Sequence, residues 1–439
     1  MSIPLDRLYH HIEDVAKDIC EDDIVIYRFF PHGSKKLENL LQLQLYSTEK
    51  IYKNFSIYCN DQEPLEYEFY QRESKTLQKQ TKFGDLLDKF NLLSPMNLKY
   101  GGKNIYDQGI LLHSEKRSVN LELYQNNGYL PAYYWSHAII ARDWFRYAKH
   151  VKQKKQVDKI FLVYNRAWAG TREYRLKFSE LLIKLNLQNY CKTSINPIEP
   201  ELGIHYKLHK FSNPIWQPMQ VLENYFPSSS AHSHYSADFD LEDYEYTEIE
   251  VVLETLFDDD RLHLTEKSLR PIACGQPFIL AGTHGSLEYL RSYGFKTFAD
   301  VWDESYDTIK DPEKRLCAIT ELMRQIAKWN APTKKTNMAK AYAIAEYNKQ
   351  HFFSQEFFNQ IIKELRLNLS DALNKLKNTN TSSVWINRRI ERSKYPELKK
   401  FLTLQEHNDV PDHDKLTKNE LINILSCARS YYNCHKKEP

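Results

Sequence analysis

Short apolar runs bounded by polar turn residues fill the first third of the chain and predict buried strands. The runs are IVIYRFF (24–30), FSIYC (55–59) and GILLHSE (109–115), and polar or turn residues follow the apolar residues of each. The segment 138–151, AIIARDWFRYAKHV, changes to helical spacing, with its apolar residues along one side. The pattern predicts an N-terminal α/β domain over residues 1–150.

A second alternation of strand and helix patterns follows a basic stretch at 149–155, which we interpret as a linker. KIFLVYNR (159–166) and QPFILAG (276–282) have strand patterns, and TREYRLKFSELLIKLNL (171–187) has a helical one. The stretch TEIEVVLETLF (247–257) has a helix-like pattern. Alternation of this kind is typical of a parallel sheet. It predicts a second domain over residues 156–312.

The remainder of the chain, residues 313–439, has long helical patterns and predicts a helical C-terminal region. Across 363–400 there are ten Lys or Arg residues against four Asp or Glu residues, a local charge of +6. The predicted fold class is therefore α/β, with two α/β domains and a helical C-terminal extension.

Composition narrows the possible classes of protein. Hydrophobic residues make up 42% and charged residues 27% of the 439 residues, which excludes global disorder. A net charge of +2 excludes a uniformly basic DNA-coating protein. The seven cysteines form no CxxC pair, and no run approaches the ~18 apolar residues of a membrane span. We therefore expect a cytoplasmic protein without a structural zinc site or a disulfide framework.

Two basic clusters have spacings that suit phosphate. Lys267 and Arg270 are three residues apart, so at the start of a helix they share one face. Helix N-termini attract phosphate, and the pair predicts a diphosphate clamp. Asn165, Arg166 and Arg172 follow a predicted strand and form a second phosphate-compatible loop. The alternative for both clusters is ordinary exposed charge on a surface.

Carboxylates at predicted strand ends are candidate general bases. They are Asp61, Glu63 and Glu115, and the alternative for each is a turn or capping acid. For a metal, His232 and His234 have ligand-like spacing without an evident third partner, and Asp258-Asp259-Asp260 is typical of a solvated loop. We expect no metal site. No P-loop, GxGxxG, GxSxG or HExxH pattern occurs.

Several motifs in combination resemble a known family. They are TEK at 265–267, PFILAG at 277–282, GFKTF at 294–298 and DESYD at 303–307. Together they resemble the donor half of phage and bacterial glycosyltransferases, above all phage DNA (hydroxymethylcytosine) glycosyltransferases, and TEK is also similar to fucosyltransferases. The resemblance implies a GT-B architecture, in which two Rossmann-like domains face each other across a cleft.

The resemblance also implies roles for individual residues. Glu254 would contact the nucleoside or ribose of the donor. The remaining donor-binding residues would be Asn165, Arg166, Thr265, Glu266, Lys267 and Arg270. The segments LLHSEK (111–116) and YYWSHAIIARDWFRYA (133–148) are similar to the acceptor half, which implies that His113, His137 and Arg142 bind the acceptor. The base would come from the first domain, with Asp61 or Glu63 preferred over Glu115.

The expected activity is transfer of a sugar, either a pentose such as arabinose or a hexose, from a nucleotide-sugar to a hydroxyl. The expected acceptor is hydroxymethylcytosine in double-stranded phage DNA, and the basic segments 149–155 and 363–400 suit contact with phosphate. We expect inversion, no metal and no cofactor. Two alternatives remain: a fucosyltransferase-like enzyme acting on a surface glycan, and a non-catalytic DNA-binding protein with a decayed transferase fold.

Overall fold

The computed structural model describes residues 6–20, 24–28, 55–60, 62, 64–65, 99–100, 103–104, 110–126, 129–151, 155–200, 202–219, 222 and 239–378. These residues are α/β in structure and divide into two compact units, each made of non-contiguous stretches of chain. The central unit contains residues 115–118 and 136–361. The N-terminal unit contains the described residues up to 114, with 119–135 and 362–378. The expected domain ranges 1–150, 156–312 and 313–439 stay predictions.

The described strands are short, and most are parallel to their neighbours. They are β1 (Ile24–Arg28), β2 (Phe55–Asn60), β3 (Lys99–Tyr100), β4 (Lys103–Asn104), β5 (Ile110–His113), β6 (Leu130–Tyr133), β7 (Lys159–Asn165), β8 (Cys191–Ile195), β9 (Thr247–Leu253) and β10 (Phe278–Ala281). One parallel sheet has the order β1-β2-β5-β6, and a second has the order β10-β9-β7-β8. Strands β3 and β4 form a separate antiparallel pair.

The described residues also form α-helices. They are α1 (Asp6–Ile19), α2 (Asn120–Asn126), α3 (Ser136–Trp144), α4 (Tyr174–Lys184), α5 (Leu241–Glu245), α6 (Glu266–Cys274), α7 (Ser286–Ser292), α8 (Pro312–Ala327), α9 (Ala331–Phe352) and α10 (Gln355–Asn378). Helices α8, α9 and α10 occupy most of residues 312–378, the described part of the region that was predicted to be helical from residue 313. The rest of it, including most of the basic segment 363–400, lies outside the described residues.

The N-terminal unit is built on β1, β2, β5 and β6. All four residues of β5 are buried, as expected for an inner strand of a parallel sheet. The last part of α10 is hydrogen-bonded to the end of β6: the Asn368 side-chain amide donates to the carbonyl of Tyr133 at 2.6 Å. The Glu364 carboxylate accepts from the backbone N–H of Trp135 at 3.1 Å.

The central unit is built on β7 to β10, and its strands confirm most of the sequence pattern. The predicted strands at 159–166 and 276–282 correspond to β7 and β10, and the predicted helix at 171–187 corresponds to α4. The helix-like interpretation of 247–257 was wrong, because Thr247–Leu253 is the inner strand β9 with all seven residues buried. An inner parallel strand is covered on both faces and is usually a continuous apolar run, but here Glu248 and Glu250 interrupt that run.

Two buried arginines tie the helices of the central unit to loops at the ends of its strands. The Arg315 guanidinium, on α8, donates to the carbonyls of Gly282 at 3.1 Å and Lys310 at 3.0 Å, and also to the carbonyl of Phe257. Arg175, on α4, donates to the carbonyls of residues that follow β7 and end β9. Within the described part of the chain, no helix has the length and apolar character needed to cross a membrane.

Candidate functional site

The carboxyl edge of the central sheet holds the point where the chain reverses its winding. The chain adds β8 on one side of β7 and then places β9 on the other side. The register pairs Leu162 with Glu250, so Asn165 at the end of β7 lies level with Leu253 at the end of β9. Ligands of open α/β sheets bind at carboxyl ends beside such a reversal. This edge is therefore the place in the central unit where a ligand is expected.

Glu254, the first residue after β9, is fully buried and organises the start of α6. Its carboxylate accepts from the N–H groups of Thr265 at 3.0 Å and Ser268 at 3.1 Å. It also accepts from the Thr265 hydroxyl at 2.8 Å, the Ser268 hydroxyl at 2.5 Å and the N–H of Thr255 at 3.1 Å. Thr265 in turn caps α6 by accepting from the N–H of Lys267. The carboxylate therefore holds the loop and the helix start together.

This arrangement changes what the amino end of α6 offers to an anion. N–H groups that would attract a phosphate already donate to Glu254 and to Thr265. The buried Glu254 carboxylate also already compensates the partial positive charge at the amino end of the helix. Phosphate recognition at this end must therefore rely on side chains. The predicted contact between Glu254 and a donor ribose stays a prediction.

Glu266 and Lys267, the first two residues of α6, form an ion pair beside a histidine of α3. The Lys267 ammonium lies 2.8 Å from one Glu266 oxygen, and the His137 Nδ1 atom lies 3.3 Å from the other. Burial alone would raise the pKa of Glu266, but Lys267 and His137 outweigh it and hold that pKa well below its usual range. The His263 ring packs edge-on against the His137 ring, with centroids 5.1 Å apart. The structure thus brings together three predicted site residues.

Glu115 belongs to the central unit and lies close to the loop that precedes α6. The neighbouring residue Lys116 forms an antiparallel bridge with Leu262, with both backbone hydrogen bonds at 2.9 Å. This bridge puts Glu115 beside Arg261, whose guanidinium is 3.9 Å from a carboxylate oxygen of Glu115. Arg261 also pairs with Asp259 at 2.6 Å. Glu115 is 1% exposed, and its role as a base stays a prediction.

Arg270, the second cation of the predicted clamp, points into the core of the central unit. It is 3% exposed and pairs with Glu250 of β9 at 2.6 Å, with its guanidinium 4.4 Å from the ring centroid of Tyr164. Burial alone would lower the pKa of Arg270, but the contact with Glu250 raises it above its usual value. Its charge is therefore balanced inside the protein, whereas the Lys267 side chain is 15% exposed.

Asn165 and Arg166 end β7 at the winding reversal. The Asn165 amide nitrogen donates to the Ser179 hydroxyl at 3.1 Å, which joins the strand end to α4. The Asn165 side chain is 2% exposed, and Arg166 beside it is partly exposed. Arg175 crosses between the two strand ends, donating to the carbonyls of Ala167 at 2.7 Å and Leu253 at 2.6 Å. Sequence analysis did not identify Arg175 as important.

The other two predicted acceptor-binding residues, Arg142 and His113, also have structural contacts. Arg142, on α3, donates to the carbonyls of Phe352 and Ser354 at the end of α9, the latter at 3.0 Å. Burial lowers the pKa of Arg142. His113 ends β5 in the N-terminal unit, is 3% exposed and packs edge-on against the ring of Tyr133. An acceptor role for either residue stays a prediction.

Side chains of the DESYD motif accept hydrogen bonds from backbone N–H groups. Asp307 accepts from the N–H of Leu287 at the start of α7, and burial raises the pKa of this carboxyl. Glu304 accepts from the N–H of Phe298 at 2.6 Å, and Tyr306 accepts from the N–H of Leu280 at 3.3 Å. The motif therefore stabilises the loops around β10 and α7.

The remaining candidates either lie outside the described residues or have contacts elsewhere in the central unit. Asp61, Glu63, His232 and His234 lie outside the described residues. Asp258 accepts from the Trp216 indole at 2.8 Å, and Asp260 pairs with His284 at 2.9 Å. Among the residues that the structure describes, no three His, Cys, Asp or Glu side chains are placed to hold a metal ion.

Sequence analysis missed Arg261 and His263, which lie beside Glu115 and His137. Their signal was their position two to four residues before the TEK motif, in a loop whose path the sequence does not show.

No protein-family model, curated protein or solved structure matches this chain significantly.

Proposed function

We propose that the chain is a glycosyltransferase that uses a nucleotide-sugar, with the donor bound at the carboxyl edge of the central sheet. The observation that carries the proposal is Lys267, a partly exposed ammonium at the start of the helix that follows β9. It lies at the type of sheet edge where α/β proteins bind nucleotides. The motif combination in 265–307 supports a sugar transferase over other nucleotide-binding proteins.

In this proposal Lys267 receives the diphosphate, and Arg270 supports the site from within. Departure of the diphosphate builds negative charge, so an ammonium beside it stabilises the transition state more than the ground state. The salt bridge of Arg270 to Glu250 fixes α6 against β9 and so fixes the position of Lys267. One residue of the clamp thus acts on the ligand and the other on the helix.

We further propose a GT-B enzyme in which the two parallel-sheet units are the two domains. The acceptor proposed is hydroxymethylcytosine in DNA, and the base is one of Asp61, Glu63 and Glu115. Transfer inverts the sugar configuration and needs no metal. Activity that is abolished by EDTA and restored by manganese would contradict the metal-independent step.

A thermal-shift panel of nucleotides and nucleotide-sugars is the first test, followed by transfer assays on hydroxymethylated duplex DNA. We expect one nucleoside diphosphate and its sugar to raise the melting temperature. Lys267→Met should abolish that shift, whereas Lys334→Met, which removes an ammonium that pairs with Glu248 elsewhere in the unit, should keep it. No shift with any member of the panel would count against the proposal. DNA as the acceptor further requires duplex binding that weakens steeply with salt.

A further inference from the structure

The Glu266 carboxylate contacts two cationic or potentially cationic groups at once. One oxygen is 2.8 Å from the Lys267 ammonium and the other is 3.3 Å from the His137 imidazole. Glu266 is 4% exposed and His137 is 3% exposed, so solvent screens their interaction weakly. Each group therefore affects the charge state of the other two.

Two neighbouring segments of the central unit contact His137. Glu266, which also pairs with Lys267, faces it from α6, and the His263 ring contacts it from the preceding loop. Arg142, on the same helix, directs its guanidinium to the carbonyls at the end of α9. Among these contacts, the negative charge that lies closest to the imidazole is the one shared with Lys267.

An anion that reaches Lys267 must compete with Glu266 for the ammonium. If Lys267 turns to the anion, the Glu266 charge loses its partner in a buried place, which is unfavourable. Protonation of His137 would restore the balance. Before binding, one ammonium and one carboxylate cancel. Afterwards the ammonium faces the anion and the carboxylate faces an imidazolium.

We propose that binding of a diphosphate at Lys267 is coupled to uptake of a proton by His137. The ion-pair partner of the Glu266 carboxylate then changes from Lys267 to His137. This inference rests on the proposed function for the identity of the anion. It makes His137 and Glu266 positioning residues for the diphosphate. The proton comes from solvent and stays on the imidazole while the anion is bound. Anion affinity therefore rises as the pH falls.

Calorimetric titration with inorganic pyrophosphate tests the coupling. At pH 7, the binding heat measured in buffers with different ionisation enthalpies gives the number of protons taken up per anion. The wild-type chain should take up about one proton more than Glu266→Gln or His137→Gln. Its affinity should also gain up to about tenfold per pH unit of decrease relative to those variants. Protonation of pyrophosphate itself is common to all of them.

Lys334→Met is the matched control and should retain the full proton uptake, because Lys334 pairs with Glu248. Far-ultraviolet circular dichroism and melting temperature report whether each variant is folded. If His137→Gln does not fold, Glu266→Gln carries the test. Equal proton uptake in the wild-type chain and in Glu266→Gln would overturn the proposal, as would no binding of pyrophosphate.

The outcome is separable from that of the proposed function. Proton-linked binding of pyrophosphate without any sugar transfer would leave the inference standing and contradict the glycosyltransferase. Transfer that proceeds with no linked proton would do the reverse. Lys267→Met should lose pyrophosphate binding and proton uptake together.

Discussion

Replacing Glu254 tests whether this carboxylate stabilises the fold or serves the ligand. It is fully buried and accepts hydrogen bonds from three N–H groups and two hydroxyls, belonging to Thr255, Thr265 and Ser268. Glu254→Ala leaves the three N–H groups without this acceptor, and two of them lie at the start of α6. We expect the variant to lose stability in the central unit, with the effect centred on this helix.

The magnitude follows from these contacts. A hydrogen bond to a charged acceptor contributes about 1.5–3 kcal/mol, and an unsatisfied buried donor costs about 1–3 kcal/mol. The contacts share one carboxylate and are not additive, so the expected loss for Glu254→Ala is about 3–5 kcal/mol. Glu254→Gln keeps the shape and one acceptor oxygen but turns an amide N–H toward other donors. Its expected loss is about 1–3 kcal/mol.

Hydrogen exchange of the peptides that span residues 254–275 is the assay, because it reports local opening of α6. A loss of 3 kcal/mol corresponds to about 10²-fold faster exchange where opening is local. Glu288→Ala, an exposed acid on α7, is the control and should leave exchange unchanged. Unchanged protection in Glu254→Ala, combined with loss of nucleotide binding, would refute the capping role and favour direct ligand contact.

Three further predictions concern other buried or partly buried charged residues. Arg142→Met should lower the free energy of unfolding by about 1–2 kcal/mol, since it removes the donor to the carbonyl of Phe352. A loss of acceptor affinity without a loss of melting temperature would contradict this prediction. Arg315→Met should lower the free energy of unfolding, measured in urea, by about 2–4 kcal/mol, because it leaves buried carbonyls such as that of Phe257 without a donor. A variant as stable as the wild type would contradict this prediction. Burial lowers the pKa of Lys155 from 10.5 to about 8, so between pH 8 and 10.5 the unfolded chain binds more protons and stability should rise with pH. Relative to Lys155→Met, the gain in unfolding free energy should be about 3 kcal/mol, and a flat difference would rule it out.

Local patterns sufficed for much of the fold. The apolar runs at β2, β5 and β7 predicted strands because a short apolar run can be recognised from consecutive residues alone. The pattern failed at β9, where Glu248 and Glu250 interrupt the apolar run. Glu250 is tolerated in the core because Arg270 lies against it, twenty residues along the chain. A single sequence does not reveal such a pairing.

The candidate site shows the same limit. The placement of Lys267 at the start of a helix followed from the sequence, since a helical pattern is a local signal. The use of Glu254 as an internal acceptor did not follow, because it depends on how the ten residues between Glu254 and Thr265 fold back. Placement of Glu115 in the central unit likewise depends on the bridge between Lys116 and Leu262.

The most direct test of the glycosyltransferase proposal is sugar transfer by the wild-type chain and by Lys267→Met, measured with the same nucleotide-sugar. With hydroxymethylated duplex DNA as the acceptor, we predict that the wild type transfers sugar. The turnover number of Lys267→Met should fall by about 10²–10³-fold, and that of Lys334→Met should not change. Equal turnover by the wild-type chain and Lys267→Met, or no transfer and no donor hydrolysis with any nucleotide-sugar of the panel, would contradict the proposal.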